Sequence, residues 1–156
     1  MHQVCISIGS NIGDRHNNCA EALRIMQGKE MNIVRTSGMH ETEPWGFEDQ
    51  AAFINMAAVV ETDMDPEDLL DELKMIERLM GRTASFKWGP RIIDLDIIFY
   101  DDIVMDLPGL KIPHCRAHER RFVLEPLFEI APDKIHPVLN KSVKTLLEEL
   151  NNDKNA

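Results

Sequence analysis

Three kinds of feature are scarce in this sequence of 156 residues, and each scarcity excludes a class of protein. No apolar run approaches the roughly 20 residues that a membrane-spanning helix needs, so we expect no membrane partner. Only three cysteines occur, without the spacing of a metal site, which favours reduced thiols in a cytoplasmic protein. Basic residues are outnumbered by acidic ones, 17 to 27, and the net charge of -10 argues against a nucleic-acid-binding protein.

The composition that remains is that of one globular domain, which we assign to residues 1–156. Hydrophobic residues make up 44% and charged residues 28% of the chain, which is ordinary for a globular protein long enough to bury a core. The charge is uneven, since residues 43–77 hold eleven acidic side chains and one basic side chain, whereas residues 82–121 hold seven basic ones. The second region would suit a polyphosphate with its metal, and ordinary surface charge is the alternative.

The stretch 88–100 predicts a strand that carries two carboxylates on one face. A β-branched and aromatic run follows a Gly-Pro break, as at the start of a strand. Asp94 and Asp96 lie two residues apart, so their side chains share a face, with Cα atoms roughly 6.5–7 Å apart. Two adjacent acids repel each other unless a cation lies between them, and Mg²⁺ binds one or two carboxylates together with substrate phosphates. A solvated strand face with two acids of no function is the alternative. The residues expected to be buried behind this strand are Ile93, Leu95 and Ile97.

The predicted elements follow the order β-α-β-β-α-β, with extra C-terminal elements. Strands are predicted at residues 3–8, 32–42, 53–62 and 92–100. The first helix should start at Asp14 and end at Gly28, and the second should start at Asp65 and end at Gly81. Residues 107–109 and 112–114 read as irregular, 122–130 and 142–150 as helices, and 151–156 as a frayed tail. The order predicts an α+β fold of the ferredoxin-like type, an antiparallel sheet with both helices on one face.

Two polar residues stand out but can be interpreted in two ways. Asn55 is polar among apolar strand neighbours, and either makes a structural hydrogen bond or reads a ligand. His114 follows a proline in an irregular segment, and its cationic surroundings leave a structural and a functional role equally open. These surrounding cations are Arg116, Arg120 and Arg121.

Several short motifs occur in the order in which one known family carries them. They are Ile8-Gly9-Ser10-Asn11, the segment from Thr42 to Asn55, Trp88-Gly89-Pro90-Arg91 followed by Asp94-Leu95-Asp96, Ile112-Pro113-His114, Arg120, Phe122 and the segment 126–132. Each motif is weak alone, but the ordered set covers nearly the whole chain and is highly specific. The chain resembles the 6-hydroxymethyl-7,8-dihydropterin pyrophosphokinases of folate synthesis.

The resemblance implies transfer of pyrophosphate from ATP to the hydroxymethyl group of a reduced pterin, giving AMP and the pterin diphosphate. ATP would be the co-substrate, two Mg²⁺ ions would bind Asp94 and Asp96, and Arg82 and Arg91 would be catalytic. A monomer is the state we expect from it.

The same match assigns the substrate contacts. Phe53 and Phe122 would sandwich the pterin, and Asn55 and the backbone of Thr42 would read its polar edge. Two further pterin residues, Trp45 and Trp88, belong to loops expected to close over the site. The implied ATP contacts are Glu77, Arg82, Lys87, Arg91, Ile97, His114 and Arg120.

The chain departs from some relatives in individual contacts, and two other functional classes compete. Relatives can carry other residues at Glu43, Phe53, Gly109, Lys111 and Cys115, and more arginines in the loop 83–87, where this chain has one cation. One is a non-catalytic ferredoxin-like sensor, which is disfavoured because the chain keeps the charged and polar residues of the site. These residues are Asp94, Asp96, Arg82, Arg91 and His114. A metal-dependent nucleotide hydrolase would need a positioned water, whereas an aromatic pair calls for an organic acceptor.

Overall fold

The computed structural model describes residues 1–42, 52–81 and 92–153. Its main sheet is antiparallel, in the order β2-β4-β1-β5, and a short strand β3 also pairs with β4. These strands are β1 (His2–Ser10), β2 (Met31–Thr36), β3 (His40–Thr42), β4 (Phe53–Thr62) and β5 (Asp94–Tyr100). A separate hairpin consists of β6 (Met105–Leu107) and β7 (Leu110–Ile112). The helices are α1 (Arg15–Gln27), α2 (Pro66–Leu79), α3 (Arg121–Ile130), α4 (Val143–Asp153) and a 3₁₀ turn (Ala117–Glu119).

The first two helices start and end where the sequence predicts. The side chain of Asp14 accepts a hydrogen bond from the Asn17 backbone N–H (3.2 Å), which caps α1. Asp65 accepts one from the Asp68 N–H (2.9 Å), and a proline at the first helical position continues α2. Gly81 follows α2 with a φ of 85°, a left-handed conformation that glycine adopts without strain.

The sheet has a hydrophobic core on each face. Helices α1 and α2 cover one face, as expected, and their core with the strands includes Ile6, Ile8, Met26, Leu73, Ile76 and Leu95. Helices α3 and α4 cover the opposite face, where the core includes Ala57, Val59, Phe99, Leu124, Leu127 and Leu146. Ile93, Leu95 and Ile97 are buried, as the alternation in the sequence predicts.

The strand register brings functional candidates into rows on the α3 face. Gly9 of β1 pairs with Asn55 of β4 on one side and with Asp94 of β5 on the other. Directly paired residues point to the same face of a sheet, and Ala57, two residues from Asn55, belongs to the α3 core. Asn55 and Asp94 therefore lie on the α3 face, in one row across three strands.

The prediction of one strand over residues 32–42 is wrong, because the chain kinks at Ser37. The Ser37 N–H donates to the Ala57 carbonyl (2.9 Å), and its hydroxyl accepts from the Ala57 N–H (2.9 Å). The serine side chain thus replaces a strand hydrogen bond and separates β2 from β3.

Two further differences lie in the C-terminal third. Residues 105–112 form the hairpin β6–β7, where the sequence indicated irregular structure, and Gly109 adopts a φ of 83° in its turn. Helix α4 extends to Asp153, beyond the predicted end at residue 150. Among the described residues, no helix combines the length and apolarity needed to cross a bilayer.

Candidate active site

The structure describes ten of the residues that the sequence assigned to the site. These are Thr42, Phe53, Asn55, Glu77, Asp94, Asp96, Ile97, His114, Arg120 and Phe122. The assignments of Trp45, Arg82, Lys87, Trp88 and Arg91 fall outside the described residues.

Asp94 and Asp96 stand at the start of β5, on the face that carries Gly9 and Asn55. Both side chains are half-buried. Burial, the negative charge of Asp94 and then that of Glu77 raise the pKa of Asp96 to about 7. The charges of Lys74 and Arg120 act in the opposite direction. The carboxylates therefore form an electronegative pair that a cation would stabilise.

Glu77 is an acid near the end of α2, a place where the helix dipole disfavours negative charge. Its side chain is buried, and Oε2 accepts a hydrogen bond from the Leu95 backbone N–H (2.8 Å) on the edge strand β5. Lys74 Nζ lies 3.6 Å from Glu77 Oε1. Glu77 thus attaches α2 to the strand that bears the two aspartates and adds negative charge beside them.

The donor set at this point fits magnesium better than a transition metal. It consists of carboxylate oxygens, and within residues 1–42, 52–81 and 92–153 no group of three or more His, Cys, Asp or Glu is placed to hold a metal ion. Mg²⁺ commonly binds one or two carboxylates and completes its six ligands with water and phosphate oxygens. Asp94 and Asp96 are suited to that mode of binding.

A cavity of about 260 Å³ opens beside the carboxylates, at the outer edge of β5. It combines apolar walls with cationic and polar groups, from α2, β5, the β6–β7 turn and the segment after β7. The lining residues are Leu70, Lys74, Leu95, Asp96, Ile97, Gly109, Leu110, Lys111, His114 and Cys115. Ile97 and His114 were assigned to ATP from the sequence. Lys74 and Leu70 were not, and α2 brings them to the cavity only through its packing on β5.

His114 is anchored at the cavity by backbone contacts. Its N–H donates to the Ile98 carbonyl (3.0 Å), and its Nδ1 accepts from the Arg116 N–H (3.2 Å). Burial and the positive charges of Arg120 and then Arg116 lower the pKa of His114, although Asp94 acts to raise it. The imidazole is therefore neutral at pH 7, with Nε2 as its hydrogen-bond donor.

Asn55 makes the structural hydrogen bond that was one of its two interpretations. It is buried, and its Nδ2 donates to the Thr42 hydroxyl (2.9 Å) on β3. A Cβ added at Gly9 would lie 2.9 Å from Asn55 Oδ1, closer than such contacts normally occur. Because Gly9 has no side chain, the amide of Asn55 has the space that this orientation needs. The sequence placed Gly9 in a motif but gave no sign of this contact.

Two aromatic residues border the same face. Phe53 begins β4 opposite Thr42, and Phe122 lies in the first turn of α3. Both rings are half-buried, and the guanidinium carbon of Arg120 lies 5.6 Å from the Phe122 ring centroid, within range of a cation–π interaction. A flat, electron-poor heterocycle bound at this face would meet aromatic surface from the sheet and from the helix.

Comparisons with known proteins identify the family of the chain. Residues 5–132 match the family described as 7,8-dihydro-6-hydroxymethylpterin-pyrophosphokinase (HPPK). The 2-amino-4-hydroxy-6-hydroxymethyldihydropteridine pyrophosphokinase of Aquifex aeolicus is 39% identical over 144 residues, which cover 92% of this chain and 89% of that protein. The protein of the same name from Bacillus subtilis is 42% identical over 126 residues, or 80% of this chain and 75% of that one.

Other similar proteins are longer, and the chain spans only part of them. The folic acid synthesis protein fol1 of Pneumocystis carinii is 42% identical over 94% of this chain, which corresponds to 20% of its own length. A crystal structure of an HPPK-DHPS in complex with substrates superposes with a TM-score of 0.78, covering 99% of this chain and 44% of that one, at 16% identity. That likeness concerns the fold alone, a mixed α/β architecture with an antiparallel sheet. The family match and the two bacterial relatives establish that the chain belongs to the 7,8-dihydro-6-hydroxymethylpterin-pyrophosphokinase family.

Proposed function

We propose that this chain transfers pyrophosphate from ATP to 6-hydroxymethyl-7,8-dihydropterin, giving AMP and the pterin diphosphate in folate biosynthesis. One observation carries the proposal. Asp94 and Asp96 lie on the face that carries Phe53 and the oriented amide of Asn55, and Asp96 also lines a cavity whose apolar walls carry Lys74 and Lys111. The two bacterial relatives described above are named as pyrophosphokinases of this pterin, which supports the same reaction.

Asp94 and Asp96 hold two Mg²⁺ ions in this proposal, and the bound ions supply neutralisation of the phosphate charge and alignment of the acceptor hydroxyl. The carboxylates themselves fix where the phosphates lie, because both project from one rigid strand. The raised pKa of Asp96 fits this role, since a carboxyl that is costly to ionise alone gains most from a cation.

The cavity at the edge of β5 takes the nucleotide. Leu70, Ile97 and Leu110 offer apolar surface for a base, and Lys74 and Lys111 bring positive charge to its mouth. His114 and Arg120 bind phosphate oxygens as donors, which stabilises charge on the departing AMP. We assign Arg82, Lys87 and Arg91 to the same phosphates, with Arg82 and Arg91 as catalytic residues. Glu77 lies near the nucleotide in this proposal and belongs to the ATP site.

The acceptor lies against the α3 face. Phe53 and Phe122 stack on its two sides, and Asn55 and the backbone of Thr42 read its polar edge. The hydrogen bond from Asn55 to Thr42 supports this role, because it fixes which amide atom is directed at a ligand. Trp45 and Trp88 complete the cover of the acceptor and exclude water.

The finer features of the architecture belong to the same proposal. We assign the fold to the ferredoxin-like type with extra C-terminal elements, since the sheet order is β2-β4-β1-β5 and α1 and α2 share a face. Residues 1–156 form a single pterin pyrophosphokinase domain. We further propose a monomer, and the free Cys5, Cys19 and Cys115 support a cytoplasmic protein.

The identity of the nucleotide product tests the proposal. The protein is incubated with Mg²⁺, ATP and 6-hydroxymethyl-7,8-dihydropterin, and quenched samples are resolved on a nucleotide column. We expect one AMP per pterin consumed, no product with Asp94→Ala, and normal turnover with the surface control Asp71→Ala on α2. Stoichiometric ADP would refute pyrophosphate transfer, and AMP formed without pterin would favour a nucleotide hydrolase.

A further inference from the structure

The edge strand β3 presents Thr42 to the proposed acceptor but has little backbone support of its own. It is three residues long and, in the described part of the chain, pairs with β4 alone. Its register puts His40 opposite Asn55 and Thr42 opposite Phe53. His40 and Thr42 therefore share the α3 face, and a strand this short depends on side-chain contacts for its position.

The last turn of α3 provides those contacts through Glu129. One carboxylate oxygen, Oε1, accepts a hydrogen bond from the Gly38 backbone N–H (2.8 Å), and the other, Oε2, is paired with His40 Nε2. Beside them, Arg35 Nε donates to the Ile130 carbonyl (2.9 Å). One helix end is thus bonded to three successive points along the chain that leads into β3.

The other end of α3 carries the helical wall of the acceptor site. Phe122 precedes Glu129 by seven residues, which is about 10.5 Å along the axis of a helix. Leu124 and Leu127 pack the intervening turns against the sheet on either side of Pro126, which lies inside the helix. Helix α3 therefore links two places, with Glu129 at the end that is bonded to the chain before β3 and Phe122 at the other end.

We propose that Glu129 is a positioning residue for the acceptor site, tying α3 to β3 and so setting the spacing between Phe122 on the helix and Phe53 and Asn55 on the sheet. The inference rests on the proposed function, because it assumes that a pterin fills this space. Glu129 itself does not touch the acceptor.

The electrostatics of the contact agree with a firm attachment. The hydrogen bond from the Gly38 N–H lowers the pKa of Glu129 most, burial acts to raise it, and the hydrogen bond and charge of His40 lower it further. The side chain is therefore a carboxylate at neutral pH, and both of its hydrogen bonds are of the stronger, charge-assisted kind.

Direct binding measurements with three variants test the inference. Calorimetry gives the Kd of 6-hydroxymethyl-7,8-dihydropterin, with Mg²⁺ and a non-hydrolysable ATP analogue present, and separately the Kd of the analogue. Glu129→Ala should raise the pterin Kd about fivefold or more, because an acceptor pocket loosened by a fraction of an ångström loses stacking and orientation. The Kd of the analogue should change clearly less than that of the pterin, since its cavity is lined by α2, β5, the β6–β7 turn and the segment after β7, and Arg120 alone among its described contacts adjoins α3.

Glu149→Ala is the matched control and Glu129→Gln is the rescue. Glu149 on α4 also accepts two hydrogen bonds, from Lys141 Nζ, and is 46% exposed against 39% for Glu129, but α4 carries no residue of the site. Glu149→Ala should leave the dissociation constants of the pterin and of the ATP analogue unchanged. Glutamine keeps an acceptor for Gly38 and a group that can pair with His40, so it should restore most of the pterin affinity.

The outcomes separate the inference from the function on which it rests. A wild-type protein that binds no pterin would refute the proposed function. If the wild type binds pterin and Glu129→Ala binds it equally well, or loses pterin and nucleotide affinity to the same degree, Glu129 does not position the acceptor site. Failure of Glu129→Gln to recover pterin affinity would likewise overturn the argument from the two hydrogen bonds.

Discussion

The protonation of Asp96 gives the most informative test of the metal site, because it can be measured without substrates. In the metal-free protein the pKa of this carboxyl is raised from an ordinary 3.8 to about 7, first by burial and then by Asp94 and Glu77. At a pH between these two pKa values, the Asp96 carboxyl is protonated in the folded protein but ionised in the unfolded chain. The free energy of unfolding should therefore fall as the pH rises from about 4 to about 7, and level off above that.

The size of the effect follows from the shift. A rise from 3.8 to about 7 is roughly three pKa units, and each unit corresponds to about 1.4 kcal/mol, so ionised Asp96 costs the folded protein up to about 4 kcal/mol at pH 8. Asp96→Asn is neutral at every pH and avoids this cost. The variant should thus be close to wild type in stability at pH 4, and more stable by about 2–4 kcal/mol at pH 8.

Urea denaturation of both proteins without divalent metal, at several pH values between 4 and 8, measures this difference. Asp94→Asn serves as an internal check, because removing the neighbouring charge should shift the loss of stability to lower pH. A stability difference between Asp96→Asn and wild type that is the same at pH 4 and pH 8 would refute the reasoning. In the wild type alone, millimolar Mg²⁺ should recover part of the stability at pH 8.

Substitutions at three further residues probe the surroundings of the carboxylates. Gly9→Ala should displace the amide of Asn55 and weaken pterin binding by about 1–2 kcal/mol in calorimetry, with nucleotide binding unchanged, and equal affinity would contradict the close contact. Glu77→Ala leaves the Leu95 N–H without its acceptor and should cost about 1–3 kcal/mol in urea denaturation, whereas Glu77→Gln, which keeps an acceptor, should cost less. Phe122→Ala should lower pterin affinity by about 1–3 kcal/mol, and a matching loss of nucleotide affinity would mean that the ring is only structural.

Much of the fold could be predicted from local sequence signals. Asp14, Asp65 and Gly81 mark helix ends through short-range hydrogen bonds and backbone preferences, so their positions in the sequence are enough. The kink at Ser37 could not be predicted in the same way. It depends on the hydroxyl of Ser37 meeting Ala57, a residue twenty positions away on β4.

The hairpin and the end of the last helix were not predicted correctly, for related reasons. Strands β6 and β7 are three residues each, too short to display an alternating pattern, although Pro108-Gly109 between them is a turn signal. Helix α4 continues through polar residues up to Asp153, where hydrophobic periodicity no longer marks the helix.

The candidate site could be predicted as residue types and motifs but not as geometry. Asp94 and Asp96 were predicted because two carboxylates share one face of a strand that has apolar flanks, with Trp88 and Arg91 just upstream and His114 downstream. The bond from Glu77 to Leu95 is tertiary, and the only hint in the sequence was an acid near the end of a helix, where it is electrostatically unfavourable. Glu129 lies in the motif 126–132, but the sequence gave no hint of its contacts, because its partners lie about ninety residues earlier in the chain.

The pairing of Asn55, Gly9 and Asp94 across three adjacent strands has a consequence for substrate choice. Neighbouring strands are about 4.8 Å apart, so the backbones of Asn55 and Asp94 are separated by about 10 Å, a length that hydrogen-bonded strands do not readily change. In the proposed site, one end of the acceptor is read at Asn55 and its hydroxyl reacts near Asp94. The sheet therefore selects the acceptor by length as well as by its polar edge. A single-ring heterocycle with the same edge would bind at Asn55 and leave its hydroxyl one ring short of the phosphates.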